Sequence, residues 1–137
     1  MPNAVACFCL SLVSGCQPDD AALPRPGNWR LVNYWALWCT PCREEIPELN
    51  RLHELPDVTV LGVNFDGKKG SERDQHRAQL GIRFPALAEE PTPRLGIQRP
   101  QVLPTTLVIN PQGEWVASLV GPQTESGVVA ALARLGR

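Results

Sequence analysis

Cys39 and Cys42, in the tetrad Cys-Thr-Pro-Cys, are the residues of this chain whose type and spacing could do chemistry. Taken alone, a C-x-x-C pattern fits a redox dithiol, half of a zinc site, a two-thiolate copper clamp or coincidence. Its surroundings favour the first. The run Arg30 to Ala36 (R-L-V-N-Y-W-A) is dense in apolar residues and reads as a strand buried on both faces. Ile46, Leu49, Leu52 and Leu55 recur at helical spacing after the pair, so a helix begins at or near Cys39. A cysteine there meets free N–H groups and the positive end of the helix dipole, both of which stabilise a thiolate. Such placement lowers a cysteine pKa from about 8.5 to between roughly 3.5 and 7.5. Cys39 is therefore the expected nucleophile. Cys42, one turn deeper, is the expected resolving thiol, which attacks Cys39 in a mixed disulfide. Pro41 fixes φ and withholds an N–H, restricting the loop between them. No third or fourth ligand accompanies the pair in the sequence, which argues against structural zinc.

The elements that must position this pair follow from hydrophobic period and punctuation. Arg43 to Leu55 forms the helix, with Pro47 expected to kink it. Val58 to Phe65 (V-T-V-L-G-V-N-F) is a second buried strand. Ser71 to Leu80 reads as a polar surface helix capped by Ser71 and closed by Gly81. One short helix lies within Glu89 to Gly96. Thr105 to Asn110 and Glu114 to Val120 are strands joined by Asn-Pro-Gln-Gly, whose Pro and Gly suit a type I turn and an antiparallel hairpin. Gly127 to Leu135 closes the chain as a helix. The order β-α-β-α-β-β-α predicts an α/β fold with a central mixed β-sheet flanked by helices.

The chain has 137 residues, 13 Lys+Arg against 14 Asp+Glu, a net charge of -1 and 43% hydrophobic residues, which describes one globular domain. The balanced, dispersed charge provides no case for a nucleic-acid partner. The other cysteines, Cys7, Cys9 and Cys16, fall in an opening whose first 18 residues carry no charge. Its apolar run, Ala4 to Gly15, is too short for a helix spanning a bilayer, which needs roughly 20 residues. It suits the apolar region of a secretory signal. Leu12-Val13-Ser14-Gly15-Cys16 resembles the lipobox of bacterial lipoproteins, which implies a signal peptide over residues 1–15 and lipidation of Cys16. The missing Lys or Arg near Met1 departs from that pattern. Residues 16–28 then hold the lipidated Cys and a linker rich in Pro, Asp and Ala, and residues 29–137 the domain. Two acyl signals on one residue would hold the protein stably on a membrane.

Val32-Asn33-Tyr34-Trp35-Ala36-Leu37-Trp38-Cys39-Thr40-Pro41-Cys42, then Glu45-Ile46-Pro47, and later Leu103-Pro104-Thr105-Thr106, together resemble the thioredoxin superfamily. More narrowly, they resemble its TlpA-like branch of membrane-anchored, extracytoplasmic thiol-disulfide oxidoreductases. The resemblance spans Asn28 to Arg137. It implies a thioredoxin-like fold and a Cys39–Cys42 redox disulfide without cofactor or metal. It also implies a cis peptide at Pro104, with Leu103 offering main-chain hydrogen bonds to an extended substrate segment. Trp38 would supply an apolar cover beside the disulfide and a surface for substrate. Cytosolic thioredoxins carry a buried Asp at the place of Asn33, and an amide does not titrate. Some TlpA-like members have a Glu one turn after the second Cys, and Glu45 matches it, which makes Glu45 the candidate base for Cys42. Complementing the helix dipole is the alternative role for Glu45 and the expected one for Glu44.

The implied activity is reduction of disulfides in envelope proteins, for example during cytochrome c maturation, by a monomer lipid-anchored in the periplasm or cell envelope. Protein thiols and disulfides are the implied substrates and a membrane-embedded thiol reductase the implied electron donor. The alternatives from other classes are a metal carrier using C-x-x-C as its clamp and a non-catalytic binding lipoprotein. The charged stretch Asp66 to Asp74 is read either as a bearer of partner specificity or as a solvated loop. His53 and His76 are expected to be solvated helix residues.

Overall fold

A computed structural model describes residues 23–137. The expected signal peptide, Cys7, Cys9, the lipidation site Cys16 and most of the linker lie outside the described residues. Four strands form one sheet in the order β2-β1-β3-β4: β1 (Trp29–Trp35), β2 (Val58–Asn64), β3 (Thr105–Ile109) and β4 (Trp115–Val120). β1 pairs parallel with β2 and antiparallel with β3, and β3 pairs antiparallel with β4. The sheet is mixed and thioredoxin-like, as its neighbours among solved structures also show.

Side-chain alternation on β1 divides the core between the two faces of this sheet. Leu31 and Trp35 enter a cluster with Ile46, Leu49 and Leu52 of α1 (Thr40–His53) and Val128 and Leu132 of α4 (Glu125–Arg134). Val32 and Tyr34 enter a second cluster with Val63, Leu107 and Ile109, against which Leu87, Leu95 and Ile97 pack. Burial on both faces explains why β1 and β2 read as unbroken apolar runs. The outer edge of β2 is covered: Gly62 N donates to Pro85 O and Leu87 N to Gly62 O, both at 2.8 Å. Such cover protects an edge from pairing with another chain.

Helix α1 runs unbroken through Pro47. Its last residue, His53, is half-buried and its Nδ1 accepts a hydrogen bond from Val60 N at 3.1 Å, so it ties helix to strand rather than standing in solvent. Helix α2 (Gly70–Leu80) buries none of its residues, and α3 (Thr92–Leu95) is a single turn. Ser71 does not cap α2. Gly70 turns the chain with φ +57, helix begins there, and Lys69 precedes it without a side-chain cap. The β3–β4 turn closes through Gly113 N donating to Asn110 O at 2.9 Å. Gly113 adopts φ +90, a conformation that other residues rarely take.

Candidate active site

Cys39 is the N-cap of α1, and its Sγ accepts a hydrogen bond from Cys42 N at 3.2 Å. The two sulfurs are joined as a disulfide, with Cα atoms 5.3 Å apart. Cys39 is 4% exposed and Cys42 is fully buried, so the first sulfur is the one nearer to solvent. Pro41 falls in the first turn, where its missing N–H has no intrahelical acceptor to lose. At reduction, the capping geometry places a backbone donor on the Cys39 sulfur, which favours the charged form.

Trp38 stands at the rim, 64% exposed. Its Nε1 donates to Asp66 Oδ2 at 2.9 Å, and its ring meets Phe65 edge-on, centroids 6.5 Å apart. Behind Phe65 lies Arg99, with its guanidinium carbon 4.3 Å from the ring centroid. Arg99 Nη2 donates to Phe65 O at 2.7 Å and Nε to Glu90 Oε2 at 2.9 Å. Tyr34 OH and Thr92 Oγ1 both donate to Glu90 Oε1. These three donors hold the Glu90 carboxyl below its ordinary pKa against the cost of its burial, while burial raises the Tyr34 hydroxyl. A chain of hydrogen bonds from Tyr34 through Glu90 to Arg99, continued by ring contacts through Phe65, thus reaches the indole beside Cys39.

Glu45 is 1% exposed. Asn33 Nδ2 donates to its Oε1 at 2.6 Å and Gln123 N to its Oε2 at 2.9 Å. Burial pushes its pKa up to about 7, and the two donated hydrogen bonds only partly offset that. Asn33 Nδ2 also reaches Thr106 Oγ1 at 3.0 Å, across the β1–β3 pairing in which the two residues are directly opposed. Glu44 is exposed on the other side of α1. Glu48, one turn on, accepts from Glu125 N at 2.7 Å, so α1 holds the start of α4 through two carboxylates.

The Leu103–Pro104 peptide is cis. Leu103 packs against the cluster that contains both cysteines. Pro104 O accepts from Gly121 N at 2.8 Å, and Gln123 Nε2 donates to Gly121 O at 3.0 Å. The loop after β4 therefore touches both the prolyl segment and Glu45. Sequence reasoning passed over Gln123, Arg99 and Glu90, and named Thr106 and Asp66 only as parts of longer segments, without a role of their own. Thr106 was within reach, being two residues past Pro104 and on the strand beside Asn33. Gln123 acts through a backbone N–H, which no side-chain pattern announces. Among the described residues no cluster of three His, Cys, Asp or Glu side chains is arranged to hold a metal ion.

A disulfide at the start of the helix that follows β1, with a cis-prolyl segment entering β3, defines a protein of the thioredoxin-like class. The chain belongs to the AhpC/TSA family, whose model matches residues 4–117. It is 33% identical over 107 residues to thiol:disulfide interchange protein HelX of Rhodobacter capsulatus, covering 77% of this chain and 59% of that one. It is 29% identical over 103 residues to thiol-disulfide oxidoreductase ResA of Bacillus subtilis, covering 73% and 57%. The chain thus spans less than two thirds of the length of these relatives. Among solved structures it is similar to a DsbF homologue of Corynebacterium diphtheriae, with TM-score 0.67, 25% identity and coverage of 79% and 72%. It also resembles a secreted thiol-disulfide isomerase of Corynebacterium glutamicum, with TM-score 0.64, 27% identity and coverage of 76% and 68%.

Proposed function

We propose that this chain is a thiol-disulfide oxidoreductase that reduces disulfides in other proteins through Cys39 and Cys42. The observation that carries the reading is the disulfide at the α1 N-terminus, with the Cys39 sulfur accepting the Cys42 N–H. The relatives named for thiol-disulfide exchange support the same chemistry.

In the reduced protein, the Cys39 thiolate attacks one sulfur of the substrate disulfide. That S–S bond breaks, and the departing thiolate takes a proton from solvent. Glu45, buried and poised near neutrality, takes the proton of Cys42 directly or through water. Cys42 then attacks the Cys39 sulfur, closing the internal disulfide and releasing the second substrate thiolate. Two electrons pass from the dithiol to the substrate. Leu103 supplies main-chain hydrogen bonds to the substrate segment, and Trp38 gives it an apolar contact. No helix among the described residues is long and apolar enough to cross a membrane. Lipidation at Cys16 would place the domain at the outer side of a membrane as a monomer, with a membrane-embedded thiol reductase restoring the dithiol. Envelope proteins such as apocytochrome c would then be its substrates.

Insulin reduction with a chemical reductant tests the reading. Wild type accelerates insulin precipitation and Cys39→Ser does not; equal rates for the two proteins would overturn it.

A further inference from the structure

Arg99 opens the run Arg99-Pro100-Gln101-Val102 that leads into the cis Leu103–Pro104 peptide. Its guanidinium leaves that run and crosses to the chain after β2. There Nη2 donates to Phe65 O at 2.7 Å, and the guanidinium carbon stands 4.3 Å from the Phe65 ring centroid. Nε donates to Glu90 Oε2 at 2.9 Å, and the Tyr34 ring centroid is 5.7 Å from the same carbon. One side chain, about two-thirds buried, thus joins the prolyl run, the chain after β2, the segment around Glu90 and strand β1. Each partner is itself anchored. Phe65 N donates to Trp35 O at 2.8 Å, and Glu90 accepts from Tyr34 OH and Thr92 Oγ1. Thr105 Oγ1 donates to Val102 O at 2.6 Å, and Leu103 packs against both core clusters, as Phe65 does.

The rest of this arrangement, beyond the ion pair with Glu90, needs arginine. A planar guanidinium donates in two directions while laying its face on a ring. A lysine ammonium is a point charge that can hold Glu90 or Phe65 O but offers no such fork. What the fork holds bears on the rim of the disulfide. Asp66, next after Phe65, accepts the Trp38 indole N–H, and the Phe65 ring meets the indole edge-on. Trp38 and Leu103 are the residues that contact substrate in the proposed exchange. Arg99 reaches Leu103 through its own main chain and Trp38 through Phe65 and Asp66. Neither sulfur is among its partners Phe65, Glu90 and Tyr34.

We propose that Arg99 is a positioning residue: it clamps the prolyl run to the chain after β2 and so fixes where Trp38 stands relative to Leu103. The consequence is tighter docking of an extended protein substrate, with the exchange itself unchanged. That consequence rests on the proposed function; the clamp does not.

The test is Arg99→Lys in the full chain, which keeps a charge for Glu90 and removes the fork. In ¹H–¹⁵N NMR of the oxidised protein, the Trp38 indole N–H signal should move in the direction it takes in Asp66→Leu. In insulin reduction KM should rise about fivefold with kcat kept, the size expected from loss of one hydrogen bond. A small aromatic disulfide should keep its wild-type rate. Adding Asp66→Leu should raise KM little further, because both substitutions act through one indole. A Trp38 signal that stays in place in folded Arg99→Lys, equal losses on the two substrates, or KM effects that multiply would each overturn the proposal. If Arg99→Lys does not fold, Glu90→Gln takes its place, since it loosens the guanidinium from its other side and keeps an acceptor for Tyr34. The signal should move the same way there, and an unmoved signal overturns the proposal. Wild type that reduces no insulin would sink the proposed function, while the Trp38 signal still decides the clamp.

Discussion

Asn33 Nδ2 donates a 2.6 Å hydrogen bond to Glu45 Oε1, joining a central strand to the helix that carries both cysteines. The contact sets a carboxyl and an amide against each other inside an otherwise apolar layer. It also makes Glu45 the group whose titration reaches the fold as well as the chemistry. Burial raises its pKa from 4.5 to about 7, so between those values the folded protein holds a proton that the unfolded chain has released. The stability this provides is fully present below about 4.5 and is lost as pH rises through about 7, a loss of about 3 kcal/mol. His53 runs the other way, since burial lowers its pKa and the folded state resists its charging as pH falls. Subtracting the profile of Glu45→Gln from that of wild type isolates the Glu45 contribution. Urea unfolding of both oxidised proteins from pH 4.5 to 8 should give a difference that declines with pH. A flat difference would show that Glu45 does not titrate in this range.

The same residue should control the second half of the exchange. With Glu45→Gln, release of a mixed disulfide formed at Cys39 should slow about a hundredfold near pH 7, the lower end of what one acid–base group contributes. The first attack should keep its rate. Stopped-flow measurement of both phases with a chromogenic disulfide separates them, and unchanged release would remove Glu45 from the mechanism.

Much of the fold was legible because β1 and β2 are buried on both faces and so leave long apolar runs. The start of α1 was legible because the cysteine pair sits where one pattern stops and the next begins. The Asn33–Glu45 contact had a readable trace as well. Asn33 shares a strand face with Leu31 and Trp35, and Glu45 shares a helix stripe with Cys42, Ile46 and Leu49. Two polar interruptions of facing apolar surfaces must meet or be left unsatisfied. Ser71 misled because a serine before a polar helix looks like a cap, whereas Gly70 had already turned the chain into it. Arg99 left no trace: it sits in irregular chain, and only the fold brings it over Phe65.

Trp38 should matter more for protein substrates than for small ones. Its indole is held by Asp66 and steadied by Phe65, so its exposed face is presented in one orientation. Asp66→Leu should raise KM for insulin about fivefold, in keeping with loss of one exposed hydrogen bond worth about 1 kcal/mol, and leave a small aromatic disulfide almost unaffected. Equal effects on the two substrates would show that the pair supports the dithiol rather than the docking of a chain.

The two sulfurs should differ in reactivity once reduced. Cys39 accepts a backbone N–H at the helix start, while Cys42 has no exposure at all. Iodoacetamide should label Cys39 first, with a pH midpoint below the 8.5 or so of a free cysteine. Cys42→Ser should accumulate a mixed disulfide with substrate at Cys39, visible by mass spectrometry. Labelling of Cys42 ahead of Cys39 would reverse their assigned roles.

Gly62 is the place where packing behind the site leaves no room. A Cβ there would come within 3.0 Å of Trp35 Nε1 and 3.1 Å of Phe84 Cε2, both in rings that are fully buried. Neither ring is a flexible tip able to swing aside, and Gly62 also bonds through N and O to the segment that covers the sheet edge. Moving Trp35 would disturb the strand end that leads to Trp38 and Cys39; moving Phe84 would loosen the edge segment just beyond it. Gly62→Ala should therefore cost about 1–3 kcal/mol, the usual penalty for overpacking a close-packed core. Chemical denaturation of the oxidised protein measures it, and a loss under about 0.5 kcal/mol would mean that the layer behind the dithiol is softer than its contacts imply.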